Sequence, residues 1–192
     1  MEDYVHLHVH TQYSILDGQA SIPRLVDKAI NDGMRGMAVT DHGSMMGIKN
    51  FSDYVAKKKS DAKKALIRLK ATREAVGTGK YSPDPQDKRQ LGDVGKSQEE
   101  LIAKYDEEIY KAQRTVSFKP IFGCEMYVAH HHLQDKNGRE NQSGWHLVVL
   151  AKNKKGYHNL IKLVSEAWTD GFYMRPRTDH DSLERFHEGL IV

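Results

Sequence analysis

The stretch Tyr4-Val5-His6-Leu7-His8-Val9-His10-Thr11 sets three histidines alternately with Val, Leu and Val. Period-two alternation marks a half-buried β-strand, in which residues two apart share a face. His6, His8 and His10 are therefore expected on one wall, with Val5, Leu7 and Val9 on the other. Neutral imidazole is the commonest protein metal ligand, so a strand presenting several at fixed spacing points to a metal site. A plain surface strand is the competing reading, although Thr, Lys or Ser would serve it equally well.

Outward from that strand, Ser14 to Gly18 reads as a loop carrying Asp17. A helix follows with Ser21 as N-cap, Pro23 in its first turn and Gly33 as its stop. Gly36 to Thr40 is a short apolar run, read as a buried strand, that ends in Asp41-His42-Gly43. A second helix over about 44–58 places Met45, Ile48, Phe51 and Val55 on one side. Strand, helix, strand, helix is the pattern of a parallel α/β architecture.

Between about 57 and 117 the pattern is interrupted by a segment rich in Lys, Arg, Glu and Gln. Two long polar helices are expected there, about 58–76 and 97–115, joined by a mobile Gly/Pro-bearing connection. The first carries Lys57, Lys58, Lys59, Lys63, Lys64, Arg68, Lys70 and Arg73 against few acids. It reads as one arm of a solvated helical hairpin, with a phosphate-backbone footprint as the alternative. The α/β pattern resumes at Lys119 to Ala129, a strand whose face includes Glu125. His130-His131-His132 opens a polar surface loop, and Trp145 to Ala151 is a strand with His146 near its start. A helix over about 155–169, an extended loop from Gly171 to Arg177 and a short helix over 182–186 follow. Leu190-Ile191-Val192 opens another apolar strand, so the chain is expected to stop inside a fold.

A chain of 192 residues with 29% charged and 39% apolar residues suits one globular domain. No run approaches the roughly 18 apolar residues of a membrane span, and Met1-Glu2-Asp3-Tyr4 carries no signal-peptide features. The single cysteine, Cys124, excludes an internal disulfide and fits a reducing, cytoplasmic setting. A net charge of +3 says little about partners. Gly-x-Ser-x-Gly, phosphate-loop and dinucleotide fingerprints are missing.

The polar residues gathered at strand ends are His8, His10, Asp17, His42, Glu125 and His146. Imidazoles mixed with carboxylates suit Zn, Mn or Fe, and this set exceeds what one tetrahedral zinc requires. A multinuclear centre bridged by Glu125 or Asp17 is the expectation. Such centres cleave phosphoesters without a side-chain nucleophile, because paired ions activate water and clamp the reacting oxygens. Glu125 on an apolar strand is the hardest to assign a bland role, since a buried carboxylate needs a partner. His146 begins its strand instead of ending it, which sits awkwardly with ligands converging at carboxyl ends of strands. Asp41 and His6 are expected to orient the ligands.

Three motifs, His8-Val9-His10-Thr11, Ala38-Val39-Thr40-Asp41-His42-Gly43 and Pro120 to Val128, resemble successive motifs of the polymerase and histidinol phosphatase (PHP) domain. Tyr13 to Gly18, His146 to Asn153 with Gly156-Tyr157, and Gly171 to Tyr173 with Pro176-Arg177 add to the likeness. It is nearest the form at the N-terminus of bacterial replicative DNA polymerases and covers nearly the whole chain outside 57–117. The resemblance implies a distorted (β/α)7, TIM-like barrel, of which residues 1–192 would be a C-terminally truncated portion with a helical insertion. It implies up to three metal ions held by His8, His10, Asp17, His42, Glu125 and His146. Further ligands are implied beyond the strand at Leu190: a cysteine or histidine, then an Asp-x-His pair. The implied activity is a metal-dependent 3′–5′ exonuclease that proofreads the primer 3′ end within a full polymerase, alongside other replisome subunits and no membrane. The alternatives are an inactive metal-binding support for the polymerase and a small-molecule phosphatase of the histidinol-phosphatase type. The palm, fingers and thumb of a polymerase are not in these residues.

Overall fold

In the computed structural model, residues 4–192 are described; the Met1–Asp3 start, read above for a signal peptide, lies outside them. The described residues divide into two compact units, one of the residues up to Val55 together with 119–192 and the other of residues 56–118.

The first unit is a mixed α/β assembly around an open sheet. Its elements are α1 (Ile22–Asn31), β1 (Gly36–Val39), the start of α2 (Ile48–Gly77), β2 (Lys119–Val128), β3 (Trp145–Ala151), α4 (Lys154–Thr169), β4 (Arg177–Thr178), α5 (His180–Phe186) and β5 (Leu190–Ile191). The remaining helix, α3 (Gln98–Ser117), belongs to the second unit. The ends of α1 follow from its sequence. Pro23 sits in the first turn, where a missing N–H costs nothing. Gly33 at φ 79° receives the chain as it leaves, donating its N–H to Ile30 O at 3.0 Å.

The sheet is not all-parallel, as the alternation of elements had suggested. β2 is its spine. Its first half pairs parallel with β1, from Gly36↔Lys119 to Val39↔Phe122. Its second half pairs antiparallel with β3, from Gly123↔Leu150 to Val128↔Trp145. β4 joins β2 in parallel, and β5 joins β3 antiparallel. The connection from Val128 to Trp145 contains only one short 3-10 turn, Glu140–Gln142. Without a helix to cross over, the chain can only turn back. Cys124, Met126 and Val149 pack with Leu160, Leu163 and Ala167 of α4 in the core beneath this sheet. Burial pushes the Cys124 thiol up to about 12, so it is an inert core side chain.

The opening stretch departs from a regular strand. It pairs with β1 only through the His6↔Met37 bridge, with a bend at Leu7. Ala38 N–H donates to His6 O at 2.8 Å and Thr40 N–H to Val9 O at 2.9 Å. Those acceptors are three residues apart, where a regular ladder uses two, so the stretch is locally bulged. Alternation is lost at the bend and Leu7 is 50% exposed. His6 lies outside the ligand groups that contain His8 and His10: its ring meets Tyr4 edge-on at 4.8 Å and, together with His8, borders a cavity of about 490 Å³ beside Leu25, Ala29 and Met37.

Helices expected over 44–58 and 58–76 are one continuous helix, α2, because neither Pro nor Gly falls between Ile48 and Gly77. In the second unit, the remainder of α2 packs on α3 through Leu69, Val76, Leu101 and Tyr105. A capping box at Ser97 and Glu100 starts α3. The connection between the helices is pinned rather than loose. Asp93 is fully buried and accepts from Tyr81 Oη at 2.7 Å, Tyr105 Oη at 2.5 Å and the Lys104 ammonium. Lys57, Lys63, Lys64, Arg68 and Lys70 are exposed, as a solvated face requires. Among the described residues, no helix is long and apolar enough to cross a membrane.

Candidate metal centre

Glu125 is the hub. It lies on the buried half of β2, and its backbone is held between Asp41 and Gly43: Glu125 N–H donates to Asp41 O at 3.1 Å, and Gly43 N–H to Glu125 O at 2.8 Å. This pairing sets His42 beside Glu125. Antiparallel pairing of β2 with β3 explains His146. Its partner is Tyr127, two residues from Glu125 and on the same face. The start of β3 therefore lies against the end of β2, and His146 reaches the site from what looked in sequence like the wrong end.

The side chains close around one carboxylate. Glu125 Oε2 lies 2.7 Å from His42 Nδ1, 3.1 Å from His10 Nε2 and 3.5 Å from His8 Nε2. Its Oε1 lies 2.6 Å from His146 Nδ1. Asp17 Oδ2 sits 2.9 Å from His42 Nε2 and 3.9 Å from His10 Nδ1. All six residues singled out in the sequence are thus brought together. They form three overlapping groups, His8/His10/Glu125, His10/Asp17/His42 and His42/Glu125/His146, each with ligand-type atoms within 4.8 Å of one another. Exposure is graded, from 5% for the Glu125 side chain to 58% for Asp17, giving a buried floor and an open rim.

The donor set fits a cation. Glu125 Oε2 and His42 Nδ1 are buried without a hydrogen-bond partner, although they face each other closely. A buried acceptor left in this state costs about 1–3 kcal/mol, and an ion between such atoms removes that cost. His10 is held below the ordinary imidazole range by its burial, then by the neighbouring His42 and His8 rings, with Glu125 and Asp17 pulling the other way. A neutral imidazole is the ligating form.

Supporting contacts come from Asp41, expected from sequence to orient the ligands, and from Thr11 and Ser14, which sequence patterning did not single out. Asp41 is buried and accepts from Thr11 N–H at 2.6 Å, Thr11 Oγ1 at 2.9 Å and Ser14 Oγ at 2.8 Å. Ser14 has one hydroxyl proton, and the carboxylate takes it. Ser14 Oγ must then accept from its other neighbours, His42 N–H at 3.2 Å and His10 Nδ1 at 2.9 Å. This places the His10 proton on Nδ1 and leaves Nε2 as a lone pair aimed at Glu125. Asp41 thus acts on His10 through Ser14, while His6 takes no part in the cluster. The only sequence trace of Ser14 is its position four residues after His10. Asp17 is presented by a tight loop in which Leu16 adopts φ 74°. A Cβ on Gly18 would lie 2.0 Å from Thr11 O, so the loop closes only with glycine there. Tyr127 was also missed; its ring stacks on His42 at 5.9 Å and meets His146 edge-on at 4.8 Å.

A second group, His132, Asp179 and Asp181, also brings ligand-type atoms together. Asp179 already caps α5, accepting from Ser182 N–H at 2.8 Å and from Leu133 N–H at 3.0 Å. His130, His131 and His132 are exposed, as expected of a surface loop.

The chain with this bulged histidine stretch, Asp-His turn and spine-strand glutamate belongs to the PHP domain family, whose model it matches over residues 6–192. It is similar to the N-terminal part of DNA polymerase III alpha subunits. Identity is 31% over 189 residues with the subunit of Borreliella burgdorferi and 32% over 191 with that of Treponema pallidum, in each case 98% of this chain and 11% of the relative. With the subunit of Aquifex aeolicus it is 29% over 197 residues, covering 100% of this chain and 12% of the relative. The chain thus spans about a ninth of the length of these relatives.

Proposed function

We propose that this chain is the metal-dependent phosphodiesterase region of a replicative DNA polymerase, acting as a 3′–5′ exonuclease on the primer 3′ end. The observation that carries this reading is the sharing of residues among the three ligand groups, with Glu125 in two of them. Shared ligands suit two or three neighbouring divalent ions of Zn, Mn or Fe type better than one. His8, His10, Asp17, His42, Glu125 and His146 are the residues that would hold them. Ions held by these residues would supply positive charge at the scissile phosphate and activated water near neutral pH. The chain's own part is to fix the donors. Ser14 orients His10, the backbone of Asp41 and Gly43 fixes Glu125, and Tyr127 backs His42 and His146.

In this reading the open mixed sheet is part of a (β/α)7 barrel and residues 57–117 are a helical insertion. DNA is reached through the larger polymerase, with other replisome subunits as partners in the cytoplasm. A structural role has its own support, because the candidate ligands come from four separate segments that an ion would tie together. Degradation of a 5′-labelled primer with a mismatched 3′ end tests the catalytic reading, with and without chelator and against the His8→Ala/His10→Ala double variant. Equal product in all three arms would refute it. Metal-dependent thermal stability without any degradation would establish the structural role instead.

A further inference from the structure

The loop from Gly171 to Arg177 lies against the candidate centre and is built unlike an ordinary surface loop. Met174 adopts φ 62° while its side chain is 65% exposed. A non-glycine residue in this region costs about 1–3 kcal/mol and persists only where its surroundings impose it. They do so here from both sides. Tyr173 N–H donates to Arg175 O at 3.0 Å across the turn. Pro176 packs so closely on Gly43 that a Cβ there would lie 2.4 Å from its Cγ. Arg177 is fully buried and donates to Gly171 O, Leu133 O, Asp135 O and Asn141 O at 2.7–3.1 Å.

What this rigid loop displays is a cation and an aromatic platform. Arg175 lies over the Tyr127 ring at 5.7 Å, the ring that His42 and His146 also pack against. Among the described residues Arg175 makes no ion pair. Phe172 stacks on Trp168 with centroids 5.6 Å apart and planes 19° apart, and each keeps nearly half its surface exposed. Trp168 Nε1–H donates to Gly43 O at 2.7 Å, which ties the stack to the His42 turn. An exposed guanidinium suits a phosphate, and exposed aromatic faces suit unpaired bases.

We infer that the Gly171–Arg177 loop is a cradle for the end of a single-stranded nucleic acid, with a phosphate held by Arg175 and a base stacked on Phe172. Duplex ends would have to fray to use it, which favours a mispaired terminus over a paired one. The inference rests on the phosphodiesterase reading for its biological sense, but binding to the cradle requires no metal.

The test is fluorescence anisotropy of a 5′-labelled oligothymidylate with the full chain in chelator. The wild type should saturate, Phe172→Ala should weaken binding by about 5- to 150-fold, the range for one lost stacking contact, and Arg175→Gln by about tenfold or more. Arg175→Gln should also lower the salt dependence by about 0.7 in log–log slope. Arg175→Lys and Phe172→Tyr should restore most of the affinity, which separates contact from misfolding. Equal affinity for wild type, Arg175→Gln and Phe172→Ala would overturn the cradle, as would no saturation of the wild type by about 1 mM, beyond the range of nonspecific binding. Variant-sensitive binding in a chain that never degrades primers would uphold the cradle and refute the exonuclease.

Discussion

Replacing Asp41 by Ala or Asn separates two jobs done by one carboxylate: holding the Thr11–Ser14 turn and orienting His10. Alanine strands the Thr11 N–H, which lies in a residue of 0% exposure, and removes the acceptor of the Thr11 and Ser14 hydroxyls. Ser14 can swing its proton to His10, but the amide has nowhere to turn. One stranded donor and the lost charge-assisted bonds sum to about 3–5 kcal/mol. At about 2–4 °C per kcal/mol for a chain of this size, the melting temperature falls by about 6–20 °C. Asparagine keeps an oxygen for Thr11 N–H and Ser14. Its amide faces Thr11 Oγ1, which already accepts from Tyr13 N–H at 3.2 Å, so the loss is about 1–2 kcal/mol. A neutral amide holds the Ser14 proton less firmly and frees the His10 tautomer, weakening metal binding by about 10- to 100-fold. Trp145 and Trp168 both lie in the unit that holds the site, so tryptophan fluorescence follows its unfolding, and zinc titration follows binding. An alanine variant melting within about 2 °C of wild type would refute the packing account. An asparagine variant of lowered stability but unchanged zinc affinity would refute the Ser14 relay.

Arg177→Met leaves four carbonyls without their donor; a loss of about 3–5 kcal/mol is expected, with tryptic cleavage appearing at Lys136 and Arg139 in the freed loop. Asp93→Asn destabilises the helical unit, and the pH dependence has a definite sign. Burial alone would raise the Asp93 carboxyl, but hydrogen bonds from Lys104, Tyr105 and Tyr81 outweigh it and leave it below the usual range. Its stabilisation is therefore complete above the unfolded value of about 3.9 and lost as pH falls through the lower folded value. Circular dichroism melts of wild type should drop as pH falls below about 4, and those of Asp93→Asn should change less. Glu125→Gln should abolish the rise in melting temperature that zinc confers, a rise worth about 2.7 kcal/mol at a hundredfold excess over the dissociation constant; an undiminished rise would remove Glu125 from the ligand set.

How much of this was legible in the sequence depended on whether the deciding signal was local. The ends of α1 are written in Pro23 and Gly33, while Ser21 holds the N-cap position without a side-chain capping bond, and β1 is a plain apolar run. The six polar residues stood out because His and Glu are conspicuous beside Val, Leu and Met. The bend at Leu7 was invisible, because a bulge keeps the alternation of letters while turning the side chains. The direction of β3 is set by tertiary pairing, although a polar connection with no helical period was a usable hint. The unbroken α2 was readable from the lack of Gly and Pro and was nonetheless divided at its change from apolar to charged residues. Ser14 could not be found by residue type, because its role rests on three hydrogen bonds that exist only once Asp41 and His10 have met.

The pinned helical hairpin also bears on how the chain folds. His8, His10, Asp17 and His42 precede it, while Glu125 and His146 follow it, so β1 must find β2 across some 80 intervening residues. The hairpin brings its own two ends together, with Lys59 Nζ donating to Phe118 O at 3.1 Å. Once formed, it shortens the effective loop severalfold, and each halving reduces the closure penalty by about 0.6 kcal/mol. The Asp93 cluster, which touches none of the candidate ligands, thereby lowers the entropy cost of bringing the two halves of the ligand set together.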